Sequence, residues 1–373
     1  HGHLREPNDI ESYAALACIA IQSNQNDQHG GQSVPNFDYG MAPGVRKTYK
    51  KLYLTNLGKM LDFLHDVEDG VDRMKEIGKK IEEEHGVCPC MAWDNDYKEL
   101  ELEELKKIVP EDEARKMQDR ATKFADNEIR RKTYQAMEAF IHNLNTMHSR
   151  AGAQVPFSSI NYGTDTSPEG RLVMESVMLA TEAGLGNGET PIFPIQIFKV
   201  KEGVSYNPED PNYDLFKLAC KVSAKRLFPN FSFLDAPFNK QDYVEGDPNT
   251  ECAYMGCRTR VIGNTYDPTR EIVTGRGNLS FTSINLPRLA IKAKGDLDMF
   301  FEGLDHMIDL ACDQLYDRFK IQSQKKVRNF PFLMGQGIWL DSDKIGPDDT
   351  IEEVIKHGTL TVGFIGLAEC LKA

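Results

Sequence analysis

Small and apolar residues dominate from Asp9 to about Ile21, and the stretch that follows, SNQNDQHGGQSVPNFDYG, is polar, amide-rich and glycine-rich. That change predicts a strand or short helix running into a loop of the kind that carries function. From about Val45 to Leu144 the pattern becomes helical, with apolar residues at three- and four-residue intervals. Leu61, Phe63, Leu64, Val67 and Val71 fall on or near one face of it. Pro110 followed by Glu-Asp-Glu marks a fresh helix start within this region. The first third is therefore expected to be a helical layer, 45–145, following one strand.

After residue 150 the texture alternates. AQVPFSSINYG and PIFPIQIFKV have the character of strands. Between them lies a predicted helix with Ser167 as N-cap, Pro168 at its first position and Gly184 near its end. A helix over DPNYDLFKLACKVSAKRLF then precedes the strand-like NFSFLDAPF. Next come AYMGCRTRVIGN (253–264), NLSFTSINLPRLAIKA, a long helix beginning at DLDMFFEGL, and a last strand within GTLTVGFIGL. This order predicts an α/β fold with parallel strands, and its even spacing suits a barrel better than an open sheet. The chain shows no internal repeat and no low-complexity tract.

Composition narrows the function classes. The 373 residues are 40% hydrophobic and 27% charged, an ordinary balance for a folded globular protein. A formal net charge of −13 excludes a broad footprint for nucleic acid or an anionic membrane, so a phosphate-bearing ligand needs a local basic or amide-lined site. No signal peptide is evident, and no apolar run approaches the roughly 18 residues of a membrane helix, which makes the cytoplasm the default expectation. The eight cysteines lack the spacing of a disulfide framework and are expected as reduced thiols. Cys88-Pro89-Cys90 is a weak metal signal, and a loop between helices is the plainer expectation. The chain begins with HGHLREPN rather than Met and is expected to be an excerpt of a longer one.

Several segments offer chemistry. Cys257 stands between a glycine and Arg258, with Arg260 close by. From the residues alone it is either an ordinary loop thiol or a reactive one near positive charge. The glycines of GLGNGETPIF (184–193) follow a helix and enter a strand, the reverse of a dinucleotide fingerprint, so a helix cap and tight turn compete with a phosphate loop. Asn278, Ser280, Ser283 and Asn285 could each hydrogen-bond a sugar or base, or equally satisfy a strand edge. His29, His142 and His148 are separated and more often structural than metal ligands, and no metal site is assigned. Lys225 and Arg226 would complement a helix dipole rather than clamp a triphosphate.

Taken together, SNQNDQHGGQSVPNFDYGMA, MHSRAGAQVPFSSINYGTDTSPEGR, TEAGLGNGETPIFPIQIFKVKEGV, KRLFPNFSFLDAPFN, YMGCRTRV and GRGNLSFTSINLPRLAIK resemble the catalytic core of the anaerobic, class III ribonucleoside-triphosphate reductases. The similarity runs in order from about residue 4 to the end. It implies a glycyl-radical enzyme whose core is a ten-stranded α/β barrel of two five-stranded halves, with a cysteine on a finger loop inside. YMGCRTRV matches that loop, so Cys257 inherits the thiyl that abstracts the ribose 3′ hydrogen, and the arginines are expected to fix the loop. Cys18 is expected on the first barrel strand as the thiol that takes part in reduction at the 2′ position. Asn278 resembles the substrate-hydroxyl-binding amide, with Ser283 and Asn285 as further candidates.

The resemblance further implies ribonucleoside triphosphate substrates, deoxynucleotide and ATP effectors, and a homodimer whose specificity site lies among helices of the 45–145 region. A radical-SAM activase carrying an iron–sulfur cluster generates the glycyl radical with S-adenosylmethionine. The family's Arg-x-Cys-Gly-Tyr motif, the four zinc cysteines before it and the ATP-cone are not found in this sequence. The chain is therefore expected to be a partial barrel, inactive alone. A non-catalytic nucleotide-binding or scaffold protein derived from the family is the alternative. Other glycyl-radical enzymes fit less well, since they do not share SINLPR and QNDQHGGQS.

Overall fold

The computed structural model describes residues 5–28, 30–148, 152–261, 263–270 and 272–373. The chain opens with helix α1 (Ile10–Asp27), capped by Asp9, whose side chain accepts the Ser12 N–H at 2.8 Å. Its buried stripe is Ile10, Ala14, Ala17, Cys18, Ile21 and Gln25, a 3.6-residue period, so the segment expected as a strand or short helix is a full helix. The first strand, β1 (Gln32–Val34), comes instead from the glycine- and amide-rich stretch.

Four helices follow: α2 (Phe37–His65), α3 (Gly70–His85), α4 (Tyr97–Leu105) and α5 (Glu111–Thr146). They form the expected helical layer. One detail differs, because Leu61 is buried whereas Phe63 and Leu64 are exposed. Two residues turn an α-helix by about 200°, so Phe63 points away from the face of Leu57 and Leu61. Gly58 and Gly70 let α2 and α3 touch backbone to backbone: a Cβ on Gly58 would collide with the Val71 backbone.

Beyond the layer run β2 (Ser158–Tyr162), α6 (Pro168–Ala183), β3 (Ile195–Val200), α7 (Tyr213–Arg226) and β4 (Asn230–Phe233). Strands β1 to β4 form a parallel sheet in sequence order, with Ser33 opposite Ser159, Ser159 opposite Ile195 and Ile197 opposite Asn230. Every residue of β2 and β3 is buried, as parallel strands covered on both faces require. Ile160, Tyr162, Phe198 and Val200 join the main core with the helices. Ser167 caps α6 by accepting the Gly170 N–H, as expected. Arg226 donates to the carbonyls of Glu182, Ala183 and Gly188, so it closes the end of α6 rather than its own helix.

The remainder comprises the short helix α8 (Pro237–Lys240), strands β5 (Ala253–Met255), β6 (Thr259–Val261) and β7 (Asn278–Asn285), helices α9 (Leu286–Ala293), α10 (Leu297–Ser323) and α11 (Glu352–Ile355), strand β8 (Thr359–Ile365) and helix α12 (Leu367–Lys372). β5 and β6 make an antiparallel hairpin, and β7 pairs with β8 in parallel. A small second core of Leu279, Val327, Leu333, Met334, Trp339, Ile351, Val354 and Ile355 lies beneath that pair. The α/β class stands, but the expected barrel is not closed: the strands fall into a four-stranded sheet, a hairpin and a separate pair among the described residues.

Candidate active site

The hairpin β5–β6 sets the site. Its turn is Gly256-Cys257-Arg258, with Met255 opposite Thr259, so Cys257 stands at the tip and its residue is exposed. Gly256 takes φ +63°, which the turn requires, and a Cβ on Gly31 would collide with its backbone. Close approach of the Gly30-Gly31 loop thus explains why glycines occur there. Arg260 reaches Asn239 Oδ1 at 3.3 Å and lies over the Phe238 ring, which ties β6 to α8.

Side chains of the parallel sheet hold the hairpin. Asn161 accepts the Tyr254 N–H at 2.8 Å and donates to the Tyr254 carbonyl at 2.8 Å, while Ser33 donates to the same carbonyl at 2.8 Å. Ser159 accepts the Gly256 N–H at 3.0 Å. At the hairpin's root, Glu251 pairs with Lys199 at 3.0 Å and accepts from Thr164 at 2.9 Å; Lys199 is 1% exposed and also donates to Asn36. A buried pair with this many satisfied bonds specifies one geometry, since loss of one partner leaves the other charge uncompensated.

Cys257 faces a cavity of about 730 Å³. Gly30, Gly31 and Phe157 line it on the sheet side, and Asn278, Ser280, Phe281, Thr361 and Gly363 line it from β7 and β8. Gln25, at the end of α1, contributes a buried amide. Asn278 lies opposite Thr359 and against Gly30. Its loop is braced from below, because Arg276 donates to the His357 carbonyl at 3.0 Å. His357 is itself buried between Asn264, which donates to Nδ1, and Asp341, which accepts from Nε2 at 3.0 Å. A bidentate Arg270 holds the Asp341 carboxyl well below the usual carboxylate range, with help from Lys344 and His357.

Of the residues singled out in the sequence, Cys257, Asn278 and Ser280 line one cavity. Ser283 is exposed further along β7, opposite Gly363, and Asn285 is the N-cap of α9, accepting the Arg288 N–H at 3.1 Å. Cys18 is not on a strand. It sits inside α1, buried in the helical core with its sulfur 4.0 Å from the Phe140 carbonyl and outside the cavity lining, and burial pushes its thiol up to about 11. The alternation of small and apolar residues around Cys18 follows a helix stripe, which is why the strand expectation failed. Among the described residues no three His, Cys, Asp or Glu side chains converge to hold a metal ion, and His29 lies outside those residues. No helix among them is long and apolar enough to cross a membrane.

The sequence reasoning missed Ser159 and Asn161. A partial signal was available: Ser159 and Asn161 stand at period 2 and so face one side of a fully buried strand together. Gln25 and Phe281 carried none, since an amide on a helix and an aromatic in a strand are ordinary.

A parallel sheet backed by helices, with a hairpin that carries an exposed thiol to the wall of a cavity, defines an α/β protein arranged around a cysteine-bearing pocket. The chain belongs to the anaerobic ribonucleoside-triphosphate reductase family, whose model matches residues 1–373. It is 33% identical over 253 residues to the anaerobic ribonucleoside-triphosphate reductase of Escherichia coli (strain K12), covering 67% of this chain and 34% of that protein. To the enzyme of the same name from Enterobacteria phage T4 it is 31% identical over 256 residues, covering 67% of this chain and 41% of that protein. The matched region thus spans well under half of these relatives. In fold it is similar to the crystal structure of the anaerobic ribonucleotide reductase from Thermotoga maritima with citrate in the active site, at a TM-score of 0.50 and 13% identity, over 100% of this chain and 52% of that one.

Proposed function

We propose that the complete protein reduces ribonucleoside triphosphates to deoxyribonucleoside triphosphates without oxygen, and that this chain supplies most of the substrate pocket. The observation that carries this reading is that Cys257 and Asn278 line a single cavity of about 730 Å³, a volume suited to a small-molecule ligand. As a thiyl, the Cys257 sulfur takes the ribose 3′ hydrogen together with one electron: a C–H bond breaks, an S–H bond forms and the unpaired electron passes to C3′. Loss of the 2′ hydroxyl as water then consumes two electrons and two protons overall, supplied by a reductant such as formate or a dithiol protein. The Asn278 amide binds ribose hydroxyls without presenting a proton acid, and Ser283 extends the same strand outward.

A glycyl radical stored in another part of the complete protein, generated by an iron–sulfur activase with S-adenosylmethionine, supplies the one-electron oxidation of the Cys257 thiol. An exposed thiol at a hairpin tip suits that exchange, and the fixed hairpin suits abstraction, which needs the sulfur at atomic range from one C–H bond. In this reading the two parallel sheets are portions of the two halves of a ten-stranded barrel, with the hairpin as its finger. The helices α2 to α5 adjoin a dimer interface and a deoxynucleotide or ATP effector site, a zinc site lies outside this chain, and the protein works in the cytoplasm.

The test is an anaerobic assay of the complete gene product with activase, S-adenosylmethionine and reductant. Deoxynucleotide should form, and Cys257→Ser should abolish it while nucleotide binding persists, because a hydroxyl gives no comparable radical. Turnover retained in that variant removes the role of Cys257. Nucleotide binding with no turnover in the activated wild type favours a non-catalytic binding protein instead.

A further inference from the structure

Two strands of three residues do not hold a hairpin in place by themselves. β5 has β6 on one edge only, and its other edge faces the parallel sheet. There Tyr254 presents both its N–H and its carbonyl to one side chain, the fully buried amide of Asn161. An amide side chain offers the same donor and acceptor pair as a peptide, so Asn161 stands in for the rung of a missing neighbouring strand. Its second N–H goes to Ser33 Oγ at 3.0 Å, and its oxygen takes the Tyr254 N–H, so the group is satisfied in one orientation only. Ser159, two residues earlier on the same face of β2, accepts the N–H of Gly256, the residue directly before Cys257.

We propose that Asn161, seconded by Ser159, is a positioning residue that clamps Tyr254 and Gly256 to β2 and so fixes where the Cys257 sulfur stands in the cavity. The proposal rests on the reductase reading for its catalytic consequence, but the clamp itself is independent of it. Asparagine is required because the bond pattern needs one donor and one acceptor on the same short side chain. Aspartate would aim a second oxygen at the Tyr254 carbonyl, while leucine would orphan the buried Tyr254 N–H and leave its carbonyl to the hydroxyls of Ser33 and Ser159. Ser159→Ala is milder: it removes the acceptor for Gly256 and a long hydroxyl contact to the Tyr254 and Gln32 carbonyls, and leaves the Asn161 pair intact.

The experiment compares Asn161→Asp and Ser159→Ala with wild type in the complete gene product. Amide hydrogen exchange should lose about tenfold of its protection at Tyr254 in the first and at Gly256 in both. N-ethylmaleimide should label Cys257 faster in both variants, with the exposed Cys220 as internal reference. In the activated enzyme kcat should fall by ~10²-fold in Asn161→Asp with KM unchanged, the mark of a misplaced reacting atom rather than lost ligand contact. If Asn161→Asp does not fold, Ser159→Ala carries the same three readouts. Unchanged protection in both variants overturns the clamp. Altered protection with kcat within about twofold, or a raised KM at constant kcat, overturns its positioning role. Turnover that survives Cys257→Ser overturns the reductase reading and leaves the exchange result standing.

Discussion

One carboxyl held well above its ordinary range lies away from the cavity. Glu101 is fully buried among α2, α4 and α5, and burial pushes its carboxyl from the ordinary 4.5 up to about 7, although Tyr53 donates to it at 2.6 Å and Gln118 at 2.9 Å. The folded state therefore holds this proton more tightly than the unfolded chain does. That favours folding below pH 4.5, and the advantage disappears as pH rises towards 7. Glu101→Gln keeps the size and the polar partners but cannot ionise. Urea unfolding of both proteins from pH 4.5 to 8 should show the variant gaining on wild type as pH rises, by on the order of 3 kcal/mol at the upper end. A difference that stays flat across this window would show that Glu101 is ordinary. Cys257 illustrates the opposite lesson at this scale. Its neighbours in sequence are arginines, yet the groups that decide its position are Asn161 and Ser159, about a hundred residues earlier in the chain.

At the scale of elements, close approach matters as much as apolar periodicity. α2 meets α3 where Gly58 faces Val71, and no Cβ fits there without moving the backbone of one helix. Gly58→Ala should thus destabilise the protein by about 1–3 kcal/mol despite alanine's better helix propensity, measurable as a lower urea midpoint at unchanged slope. A stabilised variant would mean that the helices separate freely. This contact also shows what sequence patterns convey. α6 was legible from Ser167, Pro168 and Gly184, because caps are local chemistry, and β3 from the β-branched and aromatic residues of PIFPIQIFKV. β1 was not, since Gln32 and Ser33 are polar and become strand only by pairing with Ser158 and Ser159. Cys18 was misplaced for a related reason: a short run of small and apolar residues serves a buried helix as well as a strand, and only length and capping separate them. Asn278 was legible because the motif around it is long, whereas the clamp on Cys257 is a tertiary arrangement with only a faint period-2 trace in β2.

For the whole molecule, the decisive feature is that the cavity joins two unequal bodies. The larger core runs from Ile10 to Val222 through the helical layer and the parallel sheet, and the smaller gathers around Trp339 beneath β7 and β8. Burial of apolar surface is the main stabilising term, so the smaller body should open at lower free energy, ahead of global unfolding. In hydrogen exchange, amides of β7 and β8 should be less protected than those of β2 and β3. A ligand in the cavity touches the sheet side through Gly30, Gly31 and the hairpin, and the other side through Asn278, Phe281 and Thr361. It therefore binds only where both bodies are in place, and mass action favours that state. At a concentration about 100 times Kd the gain is about 2.7 kcal/mol, close to a hundredfold slower exchange for amides whose opening breaks the cavity. A ribonucleoside triphosphate should slow exchange in β7, β8 and the hairpin to that degree while α2 and α5, remote from the cavity, keep their rates. Equal slowing everywhere would mean that the protein opens as one unit. No slowing in β7 and β8 under saturating nucleotide would mean that the cavity is not where the nucleotide binds, and would remove the shared wall of Cys257 and Asn278 as the ground for the proposed function.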